Sequence, residues 1–136
     1  VDRYTGKIEI IDYVGVLDCG THINPNLVRI QAEGGIAQGI GMALWEDVRF
    51  DENGKLLNDN FMSYKIPGRL DIRNVRVYLE PTYEPTGPFG AKSVGELVIN
   101  TPSPALANAI ENTTGVRLRE LPMTSEKLMM AMSCMR

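Results

Sequence analysis

The chain has 136 residues, of which 43% are hydrophobic and 23% charged; this composition is typical of a globular domain and excludes extensive disorder. Its net charge of −3 argues against nucleic acid and anionic membranes as partners, because phosphate binding needs a basic face. One histidine and two cysteines are too few ligands for a structural zinc site or an iron–sulfur cluster.

The first predicted element is a strand. Thr5-Gly6 is a turn signal, and the alternation of polar and apolar residues after it predicts a strand over 7–17. Only Val1 to Tyr4 remain for the other strand of this hairpin, so we expect that strand to be cut. We therefore expect residues 1–136 to be a single partial domain, either a fragment or one subunit of a split polypeptide.

A long helix follows this strand. Asn24 is the predicted N-cap and Pro25 the first helical residue, and the helix is expected to run to about Glu46. Between Ile30 and Trp45 its only charged residue is Glu33. This excludes an amphipathic surface helix and predicts burial on most sides.

The remainder of the chain alternates short strands with two more helices. In chain order we predict a hairpin turn at 51–54 between strands 45–50 and 55–57, a strand over 74–80, a loop over 83–95, a helix from Ser103 to Gly115, a strand over 116–119 and a helix capped by Thr124. The pattern predicts an α+β fold with a small mixed or antiparallel sheet and about three helices.

The long helix carries an unusual number of glycines. The stripe opposite its apolar side consists of Gln31, Gly34, Gly35, Gln38 and Gly41. Each glycine in a helix interior costs roughly 1 kcal/mol relative to alanine, so a further interaction must offset the loss. Two explanations remain open: another segment packs closely over the glycines, or a bound molecule lies on this face and receives hydrogen bonds from Gln38.

A second candidate site is the glycine-rich segment 87–97. Glu96 lies among Val94, Leu97 and further apolar residues, and a partly desolvated carboxylate suits general-base catalysis. The adjacent Gly95 lets the backbone approach a ligand closely, because glycine has no Cβ. The alternative is an ion pair between Lys92 and Glu96 on a surface helix, which the glycines of the segment disfavour.

Two other polar residues have simpler explanations. His22 lies in a loop before the long helix and is better explained as a turn residue than as a catalytic base. Asp18 lies two residues before Gly20 and is expected to hold the turn through local side-chain bonds.

Four segments occur together in this order: Asp18-Cys19-Gly20 with Ile23-Asn24-Pro25, then Gln31 to Gly41 with Glu46, then Tyr64-Lys65-Ile66-Pro67, then Gly90 to Glu96. With this series the chain resembles the C-terminal part of the molybdenum-binding subunit of the xanthine dehydrogenase and aldehyde oxidase family. The resemblance covers nearly the whole chain, and it implies the fold of a C-terminal molybdopterin-binding domain.

The resemblance implies an oxidoreductase that hydroxylates a heterocycle or an aldehyde with oxygen taken from water. Glu96 would be the active-site glutamate, the base that deprotonates a hydroxyl on molybdenum. Gln38 would hydrogen-bond the pterin of the molybdopterin cofactor, and Gly95 would bring backbone beside the metal centre. No protein ligands to the metal are expected, because in this family the dithiolene sulfurs of the pterin hold the molybdenum.

The resemblance also implies partners. These would be the rest of the molybdenum-binding subunit, a small-molecule substrate, and other domains or subunits that carry the iron–sulfur clusters and FAD. We expect a cytoplasmic protein with no nucleic-acid or membrane partner, and an isolated chain that is inactive. Leu97 departs from the family, in which many relatives have proline after the glutamate. The alternative function is a non-catalytic binding or assembly module that retains the fold.

Overall fold

The computed structural model describes residues 1–135 and contains, within them, three α-helices beside a two-stranded sheet. The elements are β1 (Tyr13–Leu17), α1 (Pro25–Leu44), β2 (Val75–Leu79), a short 3₁₀ turn at Pro88–Gly90, α2 (Pro102–Thr114) and α3 (Ser125–Ser133). The two strands pair in parallel, with Tyr13 opposite Val75 and Leu17 opposite Leu79. The α+β prediction with a small sheet and three helices is confirmed, but the sheet is parallel and not mixed or antiparallel as expected, because α1 lies between its two strands in the chain and no hairpin joins them.

The strand prediction is correct at β2, too long at the first strand, and wrong at the hairpin and at 116–119. The strand expected over 7–17 shortens to β1, preceded by one parallel bridge between Ile10 and Ile72. The hairpin around 51–54 is a single antiparallel bridge, and within the described residues 116–119 form no strand. A strand needs a neighbouring backbone to pair with, and alternation in one segment does not supply that neighbour.

The helix predictions are confirmed to within one or two residues, because Asn24, Thr124 and Gly115 provide local caps. The Asn24 side chain accepts a hydrogen bond from the amide of Leu27 at 3.1 Å, and Thr124 accepts one from Lys127 at 3.3 Å. Helix α2 ends at Gly115, whose φ of +79° lies in the left-handed region that favours glycine.

Helix α1 forms the centre of the core on one side only. Ala32, Ile36, Ile40 and Ala43 have no exposed surface and belong to one apolar cluster with residues of β2, α2 and α3. On the other side Ile30 remains 65% exposed. The expectation that α1 is buried on most sides is therefore wrong within residues 1–135, because Ile30, Gly34 and Gln38 stay exposed.

Two loops that are distant in sequence meet beside α1. Gly20 forms an antiparallel bridge with Ala91, the amide of Lys92 donates to the carbonyl oxygen of Cys19 at 2.9 Å, and the amide of Thr21 donates to that of Gly90 at 2.9 Å. These bonds hold the segment before Glu96 against the loop that follows β1.

Within residues 1–135 no helix is long and apolar enough to cross a membrane.

Candidate functional site

A polar groove of about 330 Å³ lies between α1 and the segment 95–99. Helix α1 lines one side with Gln31, Gly34 and Gln38, and Gly95 and Glu96 line the other. The structure thus brings the three predicted site residues, Gln38, Gly95 and Glu96, into one groove. The two candidate segments of the sequence are the two walls of a single site.

The glycines of α1 have two different roles. A Cβ on Gly39 would lie 2.7 Å from Cγ of Pro102 and 2.9 Å from the carbonyl oxygen of Ile99. A Cβ on Gly35 would overlap Val98, whereas one on Gly34 would have no atom of the described residues within 4 Å. Close packing therefore explains the first two, and Gly34 opens onto the groove.

Helix α1 has two glycine-containing faces. The packed face consists of Gly35, Gly39 and Gly41, and the groove face consists of Gln31, Gly34 and Gln38; Gly35 lies at the boundary, packed on Val98 and also bordering the groove. All six residues except Gly39 belong to the one stripe that the sequence predicted. The structure covers part of that stripe with other segments and leaves the rest of it open.

The last glycine of the packed face supports the C-terminal end of α1. A Cβ on Gly41 would overlap the Glu46 carboxylate, and the Tyr64 hydroxyl donates to the same carboxylate at 2.7 Å. This hydrogen bond raises the pKa of Tyr64, because the carboxylate binds the phenol and repels the phenolate. Glu46 and Tyr64 therefore brace the helix end, and neither lines the groove.

The two amide side chains of the groove face differ in their bonding. Nε2 of Gln31 donates to the carbonyl oxygen of Gly95 at 3.4 Å and so joins the two walls. The exposed Gln38 side chain makes no hydrogen bond to any residue in 1–135, which leaves its donor and acceptor atoms available to a ligand. The sequence assigned no individual role to Gln31; its place on the glycine stripe was the available signal.

Glu96 is exposed at the edge of the groove. The expectation that its apolar neighbours desolvate it is wrong for this chain, because Val98 packs under α1 with no exposed surface while Glu96 stays outside the core. The alternative Lys92–Glu96 pair is also wrong, since Lys92 pairs with Asp18 and segment 91–97 is not helical. Within 1–135 the Glu96 carboxylate has no hydrogen-bond or ion-pair partner.

Asp18 connects the loop after β1 with two other segments. Its carboxylate accepts hydrogen bonds from Nζ of Lys92 at 2.8 Å, from the Thr82 hydroxyl at 2.6 Å and from the amide of Gly20 at 3.0 Å. These bonds, that of Lys92 foremost, hold the pKa of Asp18 well below its ordinary value. The local turn-holding role expected of Asp18 is confirmed, and its contacts extend well beyond the turn.

The histidine and the first cysteine are both outside the groove. Burial raises the pKa of the Cys19 thiol, so this group is poorly suited to act as a nucleophile or a metal ligand. His22 lies in the bend before α1, and its Nε2 is buried without a partner among residues 1–135. Within residues 1–135, no three His, Cys, Asp or Glu side chains come close enough together to hold a metal ion.

Comparison with known proteins points to one family. Residues 1–73 match the family described as the molybdopterin cofactor-binding domain, a range that includes α1 but not Glu96. The chain is 38% identical over 133 residues to the probable hypoxanthine oxidase XdhD of Escherichia coli strain K12, and 40% identical over 134 residues to the aldehyde oxidoreductase of Megalodesulfovibrio gigas. Each alignment covers 97% of this chain and 14% of the relative.

A solved structure gives the same result for the fold. The crystal structure of quinoline 2-oxidoreductase from Pseudomonas putida 86 superposes with a TM-score of 0.90 at 34% identity, covering 98% of this chain and 17% of that one. The chain therefore spans less than a fifth of the length of these proteins. It belongs to the molybdopterin cofactor-binding domain family, and its predicted resemblance to molybdenum-binding subunits of the xanthine dehydrogenase and aldehyde oxidase family is confirmed.

Proposed function

We propose that this member of the molybdopterin cofactor-binding domain family forms one wall of the active site of a larger molybdenum hydroxylase, and that Glu96 is the catalytic base. One observation carries the proposal. Gly95 and Glu96 line the same groove as Gln31 and Gln38, although Gln31 and Gly95 are 64 residues apart in sequence. The fold has brought an unpaired carboxylate to an open, glycine-lined surface.

The groove fits a pterin-type cofactor. Gly34 leaves room where a side chain would stand, and the amide of Gln38 has no partner among residues 1–135 that a ligand would need to displace. The donor set also fits, because a cofactor that holds its metal through its own sulfur atoms needs no cluster of protein ligands. When bound, such a cofactor accepts the two electrons that the substrate carbon loses.

The residues of this chain have three roles in the proposal. Gln38 binds the cofactor through its side-chain amide, and Gly95 lets the backbone approach it closely because no Cβ intervenes. The Glu96 carboxylate accepts the proton of the water molecule that supplies the oxygen. In the net reaction a C–H bond and one water become a C–OH bond, with release of two protons and two electrons.

The remaining assignments concern the larger protein. We propose that the chain is a partial domain in the C-terminal part of a molybdenum-binding subunit, and that iron–sulfur and flavin domains or subunits remove the electrons. A heterocycle or an aldehyde is the proposed substrate class. The share of the relatives that the chain covers, 14%, supports the assignment of a partial domain that is inactive alone, and relatives described as a hypoxanthine oxidase and an aldehyde oxidoreductase support the substrate class.

Replacement of Glu96 in the complete enzyme tests the proposal. Loss of the general base in Glu96→Gln is expected to lower kcat by at least about 10²-fold, while the molybdenum content stays unchanged. Glu33→Gln is the matched control, because Glu33 is an exposed carboxylate on α1 that does not line the groove. Unchanged turnover in Glu96→Gln would instead support the non-catalytic binding or assembly module.

A further inference from the structure

We propose that Asp18 and Lys92 are a positioning pair that holds the wall carrying Gly95 and Glu96 against the groove face of α1. This inference rests on the proposed function, because it concerns where the catalytic carboxylate stands. Neither residue lines the groove itself. Both act through the short segment that leads to Glu96.

The segment that leads to Glu96 is attached to the loop after β1. Lys92 precedes Glu96 by four residues and is bound twice to the loop after β1, through its backbone amide to Cys19 at 2.9 Å and through Nζ to Asp18 at 2.8 Å. Two residues after Glu96, Val98 is fully buried under α1. The wall is therefore anchored at both ends, by polar bonds on one side and by core packing on the other.

Between these anchors the wall has little support of its own. Within residues 1–135, its only side-chain hydrogen bond to α1 is that from Gln31 to Gly95, which is long at 3.4 Å and exposed. A Cβ on Gly95 would contact no atom of these residues within 4 Å. The position of Glu96 thus depends on the two anchors, and within residues 1–135 the Lys92 anchor contains the only ion pair of this wall.

Asp18 is well suited to serve as a fixed acceptor. Its Oδ1 atom is already held by Thr82 and by the amide of Gly20, which leaves Oδ2 for Lys92. Removing the ammonium group therefore frees the segment that leads to Glu96 but leaves Asp18 in place. Because exposed ion pairs contribute little to global stability, the expected effect is on local geometry.

The test uses Lys92→Met in the complete, molybdenum-loaded enzyme. We expect the amides of residues 93–97 to exchange with deuterium about 10-fold faster, because a local opening becomes easier. Displacement of the base is expected to lower kcat by about 10-fold, with KM and molybdenum content unchanged. Lys92→Arg, which keeps the positive charge, is expected to bring both the exchange rate at 93–97 and kcat most of the way back to the wild-type values.

The matched control is Arg117→Met. The Arg117–Glu111 pair has the same 2.8 Å separation, and its side chains are 36% and 44% exposed against 36% and 43% for Lys92 and Asp18. It lies outside the groove, so both exchange at 93–97 and kcat should stay at the wild-type level. If Lys92→Met folds poorly, the nearly isosteric Asp18→Asn removes the same ion pair and is expected to give the same acceleration of exchange.

The outcomes separate this inference from the proposed function. Exchange and kcat in Lys92→Met that match the Arg117→Met control would overturn the positioning pair, even where Glu96→Gln has lost activity. Faster exchange at 93–97 combined with full activity of Glu96→Gln would support the pair as the anchor of this wall and overturn the catalytic role of Glu96. Faster exchange with reduced kcat, restored by Lys92→Arg, supports both.

Discussion

The packed face and the groove face of α1 belong to one helix and both contain glycine, but glycine has a different role on each face. On the packed face the missing Cβ lets neighbouring segments approach the helix backbone, as Pro102 and Ile99 do at Gly39. On the groove face the space beside Gly34 is empty of atoms from the described chain. The same residue type thus provides contact in one place and room for a ligand in the other.

This difference indicates that stability and the proposed cofactor binding are separable on α1. A side chain added to the packed face must displace backbone or buried atoms, so its cost appears in the free energy of unfolding. A Cβ added at Gly34 meets no atom of residues 1–135 within 4 Å, so the cost of a side chain there is expected to appear in ligand binding. Substitutions at Gly39 and Gly34 test this division, and Asp18→Asn tests the ion pair that anchors the second wall.

The largest effect on stability is expected from Gly39→Ala. Its Cβ would lie 2.9 Å from a backbone carbonyl oxygen that has little freedom to move. Overpacking of this kind costs about 1–3 kcal/mol, and the better helix propensity of alanine returns at most about 1 kcal/mol. We expect a net loss of roughly 1–2 kcal/mol in chemical denaturation. A variant as stable as the wild type would show that the packed face is not tightly packed.

A smaller effect, on binding, is expected from Gly34→Leu. The leucine side chain would occupy the groove and lower the molybdenum content of the complete enzyme by about 10-fold, equivalent to about 1.4 kcal/mol. The matched control is Gly34→Ala, which should retain the cofactor and gain up to about 1 kcal/mol in stability. Full molybdenum content in Gly34→Leu would contradict the assignment of this groove to the cofactor.

The smallest effect concerns pH and the ion pair that anchors the second wall. The pKa of Asp18 is lowered in the folded state, so its stabilising bonds are fully present above the unfolded value of about 3.9 and are lost as the pH falls through the folded value. The melting temperature of Asp18→Asn should therefore lie below that of the wild type at neutral pH. This difference in melting temperature should shrink as the pH falls below about 4. In Gly39→Ala the difference should persist in acid, because packing does not titrate.

Features that depend on nearest neighbours in the chain were predictable. Asn24, Thr124 and Gly115 act on backbone groups within a few residues, so the three helices follow from the sequence to within one or two positions. The glycine stripe followed from helical periodicity. The resemblance to a known family selected Gln38, Gly95 and Glu96, and their placement in one groove agrees with that selection.

The sequence by itself determined the helices, the α+β class and the two segments that line the groove, because capping and periodicity act over short distances. Only the tertiary structure decided which glycines are covered, that Glu96 is exposed, and that Lys92 pairs with Asp18 rather than with Glu96. Asp18 and Lys92 are 74 residues apart in sequence, and β1 pairs with β2, which comes after α1 in the chain. Such contacts arise when distant segments pack together, and a local pattern of residues does not contain them.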